Sequence, residues 1–153
     1  MRLTRYTDYG LRVLMYLATR PKEVVPTEQI ASAFGISLHH LHKVVQQLRD
    51  LGWLEARRGP TGGVCFVPAS RDLSIGEVVR QLESQIDLVE CFDEDTNSCP
   101  ITPACRLAPI FDDARDAFLG ELDKHTIGDV TRRPGELRAL LPVGPEAKRR
   151  AAR

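Results

Sequence analysis

Hydrophobic residues recur at helical spacing near the start of the chain. Residues 7–19 place four apolar side chains at the i, i+3, i+4 and i+7 positions of one helix face: Leu11, Leu14, Met15 and Ala18. Pro21 ends this segment. A shorter helix is predicted from an N-cap at Thr27 to Phe34, with Gly35 at its C-terminal end.

A third helix is predicted directly after the second. Ser37 is expected to cap it, and Gly52 to end it. Its apolar face consists of Leu41, Val44, Val45, Leu48 and Leu51. Two helices joined by a tight turn with glycine are typical of a helix-turn-helix, here at about residues 28–51.

A β-hairpin is predicted behind these helices. Short β-prone runs at residues 53–58 and 64–67 flank the turn-forming stretch Gly59-Pro60-Thr61-Gly62-Gly63. A hairpin in this position is a wing, at about residues 53–67. Residues 1–72 are therefore expected to form a winged helix-turn-helix domain, and the whole fold to be mainly α.

Residues 73–130 are predicted to hold a short helix, a cysteine-bearing loop and a long helix. Ser74 and Glu77 have the spacing of a capping box. The long helix is expected to restart near Pro103, a residue that suits a first helical turn. Its apolar stripe, long for a peripheral helix, predicts a dimerisation helix and consists of Leu107, Ile110, Phe111, Ala114, Phe118 and Leu122. The tail, residues 131–153, is rich in Pro, Gly and charge and is expected to be flexible.

The composition is that of an ordinary soluble chain. The sequence has 153 residues, of which 42% are hydrophobic and 27% charged, enough for one domain with a dimerisation arm. No apolar run approaches the roughly 18 residues of a membrane span. A cytoplasmic protein is expected.

The net charge of zero hides a strong asymmetry. Residues 1–72 contain ten Lys/Arg and six Asp/Glu, a net charge of +4. Residues 73–110 contain two against seven, a net charge of −5. Because the local field matters more to a polyanion than the total charge, the basic half remains a candidate for binding DNA.

The polar face of the third helix supplies the candidate DNA-reading residues. With the apolar face turned inward, six side chains remain outside: Ser37, His39, His40, Lys43, Gln46 and Gln47. In a helix-turn-helix, residues near the start of the second helix reach base edges in the major groove. Arg57 and Arg58 on the wing are suited to a minor groove. The alternatives are a solvated helix face, a protein contact surface, or a metal site at the histidines; the last is disfavoured because His39 and His40 are expected to point in different directions.

Three cysteines form the second candidate site. Cys91, Cys99 and Cys105 are separated by seven and five residues, without the close Cys-x2-Cys pairs of zinc sites. Thiolates spread in this way suit a larger group such as an iron–sulfur cluster, whose fourth ligand would be water, a thiol, a histidine or a carboxylate. A reactive thiol pair or a disulfide is the alternative. Cys65 lies within the wing strand and is interpreted as a small buried hydrophobic residue.

The chain resembles the NsrR-type nitric-oxide-sensing repressors, in the winged-helix superfamily that includes IscR. The segments that carry the resemblance are Met1-Arg2-Leu3-Thr4-Arg5-Tyr6-Thr7-Asp8-Tyr9-Gly10-Leu11-Arg12, His40-Leu41-His42-Lys43-Val44-Val45, Arg58-Gly59-Pro60-Thr61-Gly62-Gly63, Cys99-Pro100-Ile101-Thr102-Pro103-Ala104-Cys105-Arg106-Leu107 and Phe118-Leu119-Gly120-Glu121-Leu122-Asp123. The cysteine segment is the most specific of these.

The resemblance implies a homodimer with one iron–sulfur cluster per subunit. The cluster would be 4Fe–4S, with 2Fe–2S as the alternative, held by the three cysteines. The fourth ligand would be Asp8 of the partner subunit, although an acidic residue in a first helical turn is also stabilised by the helix dipole. Arg12, four residues further on, is placed to pair with Asp8 and support it. An IscR-like site would need a histidine shortly after the last cysteine, and Ala108 and its neighbours offer none.

The sequence therefore predicts a DNA-binding transcriptional repressor that nitric oxide releases from its operator. One alternative is a regulator of the same fold that senses iron, cluster status or general redox stress. Another is a DNA-binding module whose cysteines hold zinc or no metal. An enzyme is not expected, because the chain has no Gly-rich phosphate loop, nucleophile elbow or metalloprotease helix.

Overall fold

A computed structural model describes residues 2–59, 62–84, 86–93 and 95–141. The elements, in chain order, are α1 (Arg5–Ala18), α2 (Thr27–Phe34), α3 (Leu38–Asp50), β1 (Leu54–Arg57), β2 (Gly63–Phe66), α4 (Ile75–Leu82), α5 (Leu107–Asp123), α6 (Ile127–Val130) and α7 (Pro134–Leu140), with single 3₁₀ turns at Pro68–Asp72, Glu90–Phe92 and Thr102–Ala104. The fold class is confirmed: the described chain is mainly helical, with one antiparallel hairpin after the helix-turn-helix. No helix in this part of the chain is long and apolar enough to cross a membrane.

The helix boundaries follow local caps. Helix α1 begins two residues before the predicted start, because Thr4 caps it and its hydroxyl accepts a hydrogen bond from the Thr7 amide over 3.3 Å. Thr27 is the first residue of α2 and not its cap, which is Pro26. Ser37 occupies the cap position of α3 but makes no capping hydrogen bond through its side chain.

The wing is a two-stranded sheet that also pairs with the chain before α2. Leu54 faces Phe66 and Arg57 faces Gly63 in the register of β1 and β2. The backbone of Val64 exchanges two hydrogen bonds with Val25, of 2.8 and 2.9 Å. A Cβ on Gly63 would lie 2.4 Å from the Val25 carbonyl oxygen, so this approach requires glycine. The hairpin is therefore fixed to the helix-turn-helix at its base.

Helix α1 is the centre of the hydrophobic core. It packs against α3, α4, α6 and β2. The largest fully buried side chains are Tyr16, Leu14, Leu17, Ile30, Leu41, Leu48, Ile127, Val13, Val25, Val44, Val78 and Val79. Leu41, Val44 and Leu48 belong to α3, and because they face the core, the opposite face of α3 is exposed to solvent.

The long helix α5 differs from its prediction at both its start and its buried face. It begins at Leu107, because Pro103 belongs to a separate 3₁₀ turn and Cys105 after it is extended. Leu119, which the predicted stripe omitted, is the residue that α5 buries. Leu107 and Ile110 are 56% and 62% exposed. The predicted stripe is therefore mostly uncovered in the single chain.

The region after α5 is more ordered than predicted. The hydroxyl of Ser74 caps α4 by accepting from the Glu77 amide and donates to Asp123 at the end of α5, while the complete capping box lies at Thr126 and Asp129 in α6. The tail contains one further helix, Pro134–Leu140, which the sequence pattern did not predict. Residues 142–153 of that tail lie outside the described residues.

Side-chain hydrogen bonds connect α7, which the sequence did not predict, to the end of α1. Arg138 donates to the carbonyl oxygen of Thr19, and buried Arg20 donates to the carbonyl oxygen of Leu141 over 3.2 Å. The Arg20 guanidinium also stacks on the Tyr16 ring, 4.0 Å from its centre. These contacts join the C-terminal helix to the core, and their distance in sequence explains why the local pattern does not reveal them.

Candidate functional site

The outer face of α3 is exposed as predicted, with one exception. Five of the six predicted residues are open to solvent: Ser37, His39, His40, Lys43 and Gln46. Gln47 is half-buried, and its amide donates to the Gln81 carbonyl oxygen over 3.1 Å, at the end of α4. Because this bond joins α3 to α4, Gln47 is less available for base contacts than its position predicts.

The second half of α3 has its own internal hydrogen bonds. The Gln46 amide donates to Asp50 over 2.8 Å and its oxygen accepts from Arg49 over 3.0 Å. A shallow groove along the helix is bordered by His39, His42, Lys43, Gln46, Gln47 and Asp50. The carboxylate of Asp50 makes one end of the groove unfavourable for a phosphate, so the N-terminal half of α3 is the better surface for DNA.

The rings of His39 and His40 lie near each other at the start of α3. Their centres are 5.9 Å apart, with a tilt of 56° between the planes. Even so, nowhere in the described ranges do three His, Cys, Asp or Glu side chains form a group that holds a single metal ion.

Both wing arginines are exposed. Arg57 lies 3.9 Å from Glu55, a loose surface contact in which both side chains are more than 60% exposed. Arg58 is exposed at the end of β1. Both cations therefore remain accessible beside the turn, of which residues 60 and 61 lie outside the described residues.

A hydrogen bond that the sequence did not predict connects α1 with α3. The Tyr6 hydroxyl donates to the Lys43 carbonyl oxygen over 3.1 Å. Burial, and then the negative charge of Asp50, raise the pKa of Tyr6 above its ordinary value, so the phenol stays protonated. The contact spans 37 positions of the chain, and a lone tyrosine carries no sequence signal for it.

The three loop cysteines line one small cavity. Its volume is about 180 Å³, and its other walls are Val89, Glu90, Ile101, Leu107, Ala108 and Phe111. Cys91, Cys99 and Cys105 are each half-buried with free thiols. Cys65 lies elsewhere, in β2, with its sulfur 3.6 Å from the Glu55 carbonyl oxygen. Cys65 is half-buried, as the three loop cysteines are, so it is less buried than its interpretation as a buried hydrophobic residue predicts.

The donor set of the cavity fits a thiol-held cluster. Three soft sulfur ligands face a mostly apolar wall, which is the donor set and surrounding of iron–sulfur sites. Cys91, Cys99 and Cys105 are the residues that would hold a cluster here.

The loop around the cavity has charged and aromatic supports. Glu90 accepts two hydrogen bonds from Ser98, and these bonds lower the pKa of the Glu90 carboxyl, the side-chain bond most. The Arg115 guanidinium of α5 lies over the Phe92 ring, 5.2 Å from its centre. Arg115 also pairs with Asp112 and Asp116. The cysteine loop is thus stabilised by hydrogen bonds between its own residues and by a contact with α5.

Asp8 lies in the first turn of α1 and pairs with Arg12. The closest oxygen–nitrogen distance is 2.8 Å, and both side chains are a little over two-fifths exposed. The predicted pair is therefore present. Asp8 is not among the described residues that line the cysteine cavity of its own chain.

Known proteins match the chain over most of its length. The Rrf2 family profile, described as "Iron-dependent Transcriptional regulator", matches residues 3–133. The chain is 42% identical over 146 residues to the HTH-type transcriptional regulator NsrR of Halalkalibacterium halodurans, covering 95% of this chain and 100% of the relative. It is 44% identical over 144 residues to NsrR of Bacillus subtilis, covering 94% and 99% of the two chains.

Solved structures show the same fold. The structure of CymR, the global cysteine regulator of B. subtilis, superposes with a TM-score of 0.68 at 27% identity, over 86% of this chain and 97% of that one. T. potens IscR superposes with a TM-score of 0.70 at 20% identity, over 90% and 91% of the two chains.

Proposed function

The chain belongs to the Rrf2 family of transcriptional regulators, and on that basis we propose that it is a DNA-binding repressor that senses nitric oxide through an iron–sulfur cluster. The resemblance to NsrR-type regulators is confirmed by relatives of that name at 42–44% identity. Their description as transcriptional regulators agrees with the expectation that the chain is not an enzyme.

The exposed start of α3 supports the DNA-binding half of the proposal. Ser37, His39, His40 and Lys43 are placed to enter the major groove, where Lys43 contacts guanine or phosphate. Arg57 and Arg58 of the wing would follow the adjacent minor groove. A homodimer would present two such helices to two half-sites about 34–36 Å apart.

The single observation that carries the sensing half is the convergence of Cys91, Cys99 and Cys105 on one cavity. We assign these thiols to one cluster per subunit, 4Fe–4S with 2Fe–2S as the alternative. When bound, the cluster supplies iron that reacts with nitric oxide. Three thiolates leave one position, which Asp8 of the partner subunit would fill. A carboxylate is a hard oxygen ligand beside soft sulfur, and is therefore the ligand most easily displaced.

Arg12 gives the displaced carboxylate another partner. In the single chain, Asp8 and Arg12 are already 2.8 Å apart, so the carboxylate of Asp8 stays paired when it is not a ligand. The same helical turn carries Tyr6, whose hydroxyl donates to the backbone of α3. A shift of this turn would therefore move α3. The distance between the two α3 helices of the dimer would then no longer match the two half-sites, and repression would end.

The first test is the visible absorption of protein purified without oxygen, before and after nitric oxide is added. We expect an iron–sulfur absorption that nitric oxide removes. DNA binding, followed by fluorescence anisotropy with a duplex selected from a random library, should be lost in parallel. Cys99→Ser should lose the absorption, whereas the matched variant Cys65→Ser should keep it. A protein that stays colourless after anaerobic reconstitution with iron and sulfide would overturn the sensing mechanism.

Asp8→Ala tests the proposed fourth ligand. We expect a cluster that is lost more readily than that of the wild type, and DNA release with altered sensitivity to nitric oxide. Arg12→Gln keeps the carboxylate and removes its alternative partner, together with the contact of the guanidinium with the Phe34 ring, so it should retain the cluster. An Asp8→Ala protein with wild-type cluster stability and wild-type release would rule out the carboxylate switch.

The family description favours one second candidate, a regulator that responds to iron supply. Chelation of iron without nitric oxide distinguishes the two. A nitric oxide sensor should respond to nitric oxide while iron is plentiful, whereas an iron sensor should release or bind DNA on chelation alone.

A further inference from the structure

The carboxylate of Glu90 closes the cysteine loop. One of its oxygens accepts two hydrogen bonds from Ser98, from the amide over 2.8 Å and from the hydroxyl over 2.6 Å. Glu90 directly precedes Cys91, and Ser98 directly precedes Cys99. The pair therefore joins the two backbone positions from which the first two thiols project.

Separate hydrogen bonds fix the third cysteine relative to the second. The Asn97 side-chain oxygen accepts from the Cys99 amide over 3.0 Å, and the Thr102 hydroxyl is 2.9 Å from the Cys99 carbonyl oxygen, to which it donates. The amide of Cys105 then donates to the Thr102 carbonyl over 3.3 Å. The segment from Cys99 to Cys105 is thus held by short-range bonds. The turn that carries Cys91 is joined to it by the backbone bond from Asn97 to Asp93, over 3.0 Å, and by the side-chain connection from Glu90 to Ser98.

We propose that Glu90 is a positioning residue, whose hydrogen bonds to Ser98 hold the Cys91 and Cys99 thiols on one cavity before any cluster is present. A charged acceptor makes these bonds stronger than neutral ones. Closing the loop in advance removes ordering entropy that cluster binding would otherwise have to overcome. The importance of this arrangement for a cluster rests on the function proposed above, but the geometry can be tested in protein without a cluster.

Thiol alkylation of reduced, cluster-free, full-length protein measures this geometry. The rate of carbamidomethylation by iodoacetamide is followed at each cysteine by mass spectrometry. In Ser98→Ala, which loses one of the two bonds, we expect Cys91 and Cys99 to react faster by roughly three- to tenfold. In Glu90→Ala, which loses both bonds, we expect a larger increase. Cys65, in the wing, should react at an unchanged rate and serves as the internal standard.

Three variants separate positioning from charge. Glu90→Gln removes the charge but keeps an oxygen that accepts from Ser98, so it should react more like the wild type than Glu90→Ala does. Asp95→Asn removes a charge from the same loop outside the pair, and should leave the rates unchanged. Ser98→Ala keeps the charge and loses one bond, so faster alkylation in this variant cannot arise from charge.

Reconstitution with iron and sulfide provides the second readout. Glu90→Ala should bind less iron and lose the visible absorption sooner than Glu90→Gln. If the wild type binds no cluster, the proposed function fails, while the alkylation rates still decide the role of Glu90. Wild-type alkylation rates in both Glu90→Ala and Ser98→Ala, or rates in Glu90→Gln equal to those in Glu90→Ala, would overturn the proposal.

Discussion

Replacing Tyr6 by phenylalanine tests whether the contact between α1 and α3 influences the DNA binding proposed for α3. The change removes the bond from the hydroxyl to the Lys43 carbonyl and keeps the ring, which packs against the core. A neutral hydrogen bond contributes about 0.5–1.5 kcal/mol. Because this bond is exposed, we expect its contribution to lie in the lower part of that range, at about 0.5–1 kcal/mol. A dimer on one operator would lose the bond twice. We therefore expect the free energy of DNA binding to weaken by about 1–2 kcal/mol, which lowers the affinity roughly five- to thirtyfold.

The assay is fluorescence anisotropy with a duplex selected from a random library by the wild-type protein, at constant salt. Tyr9→Phe is the matched control, because Tyr9 lies half-buried on the same helix and no hydrogen bond of its hydroxyl is found among the described residues. Tyr9→Phe should bind like the wild type. Equal affinities for Tyr6→Phe and wild type, or equal losses in both variants, would refute the coupling.

The same tyrosine predicts a difference in alkaline stability. Burial, and then Asp50, raise the pKa of Tyr6 above its ordinary value of 10.0. Because the folded state favours the protonated phenol, its contribution to stability is complete below the ordinary pKa and is lost as the pH rises through the raised value. Thermal unfolding temperatures should therefore fall less steeply with alkaline pH in Tyr6→Phe than in the wild type. Parallel curves would contradict this reasoning.

Three further predictions follow from charge and packing. About six to ten phosphate contacts per dimer would reduce DNA affinity by roughly 10³–10⁵ between about 50 and 200 mM salt, and a flat response in anisotropy would exclude groove binding. The hydrogen bond from Arg80 lowers the pKa of Asp123, so this stabilisation is present above the ordinary pKa and is lost as the pH falls through the lowered one. The difference in melting temperature between wild type and Asp123→Asn should accordingly shrink toward acid pH. Gly63→Ala places a methyl group against the Val25 carbonyl and should destabilise the fold by about 1–3 kcal/mol in chemical denaturation, whereas Gly120→Ala, with open space at its Cβ, should not.

The winged half of the fold follows closely from sequence because its signals are local. The apolar faces of α1 and α3 have the helical period that burial requires, and Gly35 and Gly52 adopt the left-handed backbone that ends a helix. The wing strands are predicted within two residues of their observed ends. Small errors arise at caps, where Thr4 and Pro26 take positions that periodicity alone does not specify.

Other parts of the structure are less well predicted, because they depend on contacts between distant residues or on signals that fit two structures equally well. Helix α7 is short and lacks a buried residue of its own, so its docking on α1 through Arg138 has no periodic signal. The start of α5 was misplaced because Pro103 suits a 3₁₀ turn as well as an α-helix. Conversely, the grouping of the three cysteines was predicted from residue type and spacing, although the bond from Ser98 to Glu90 that closes their loop was not.

Helix α1 is the element through which the two candidate sites can influence each other. Its first turn carries Asp8, proposed as a ligand of the partner's cluster, and Tyr6, bonded to α3. Its side also packs on α4, which in turn packs on α5. The ion pair from Arg80 to Asp123 lies at the C-terminal end of α5, whereas the cysteine cavity borders its N-terminal end at Leu107, Ala108 and Phe111. A rigid, buried helix transmits a displacement along its length because its packed side chains have little room to adjust. Under the proposed mechanism, loss of Asp8 as a ligand would need to move only one turn of α1 to disturb the backbone of α3. The Tyr6 bond, rather than the exposed side chains of α3, is therefore the decisive place to test the proposed switch.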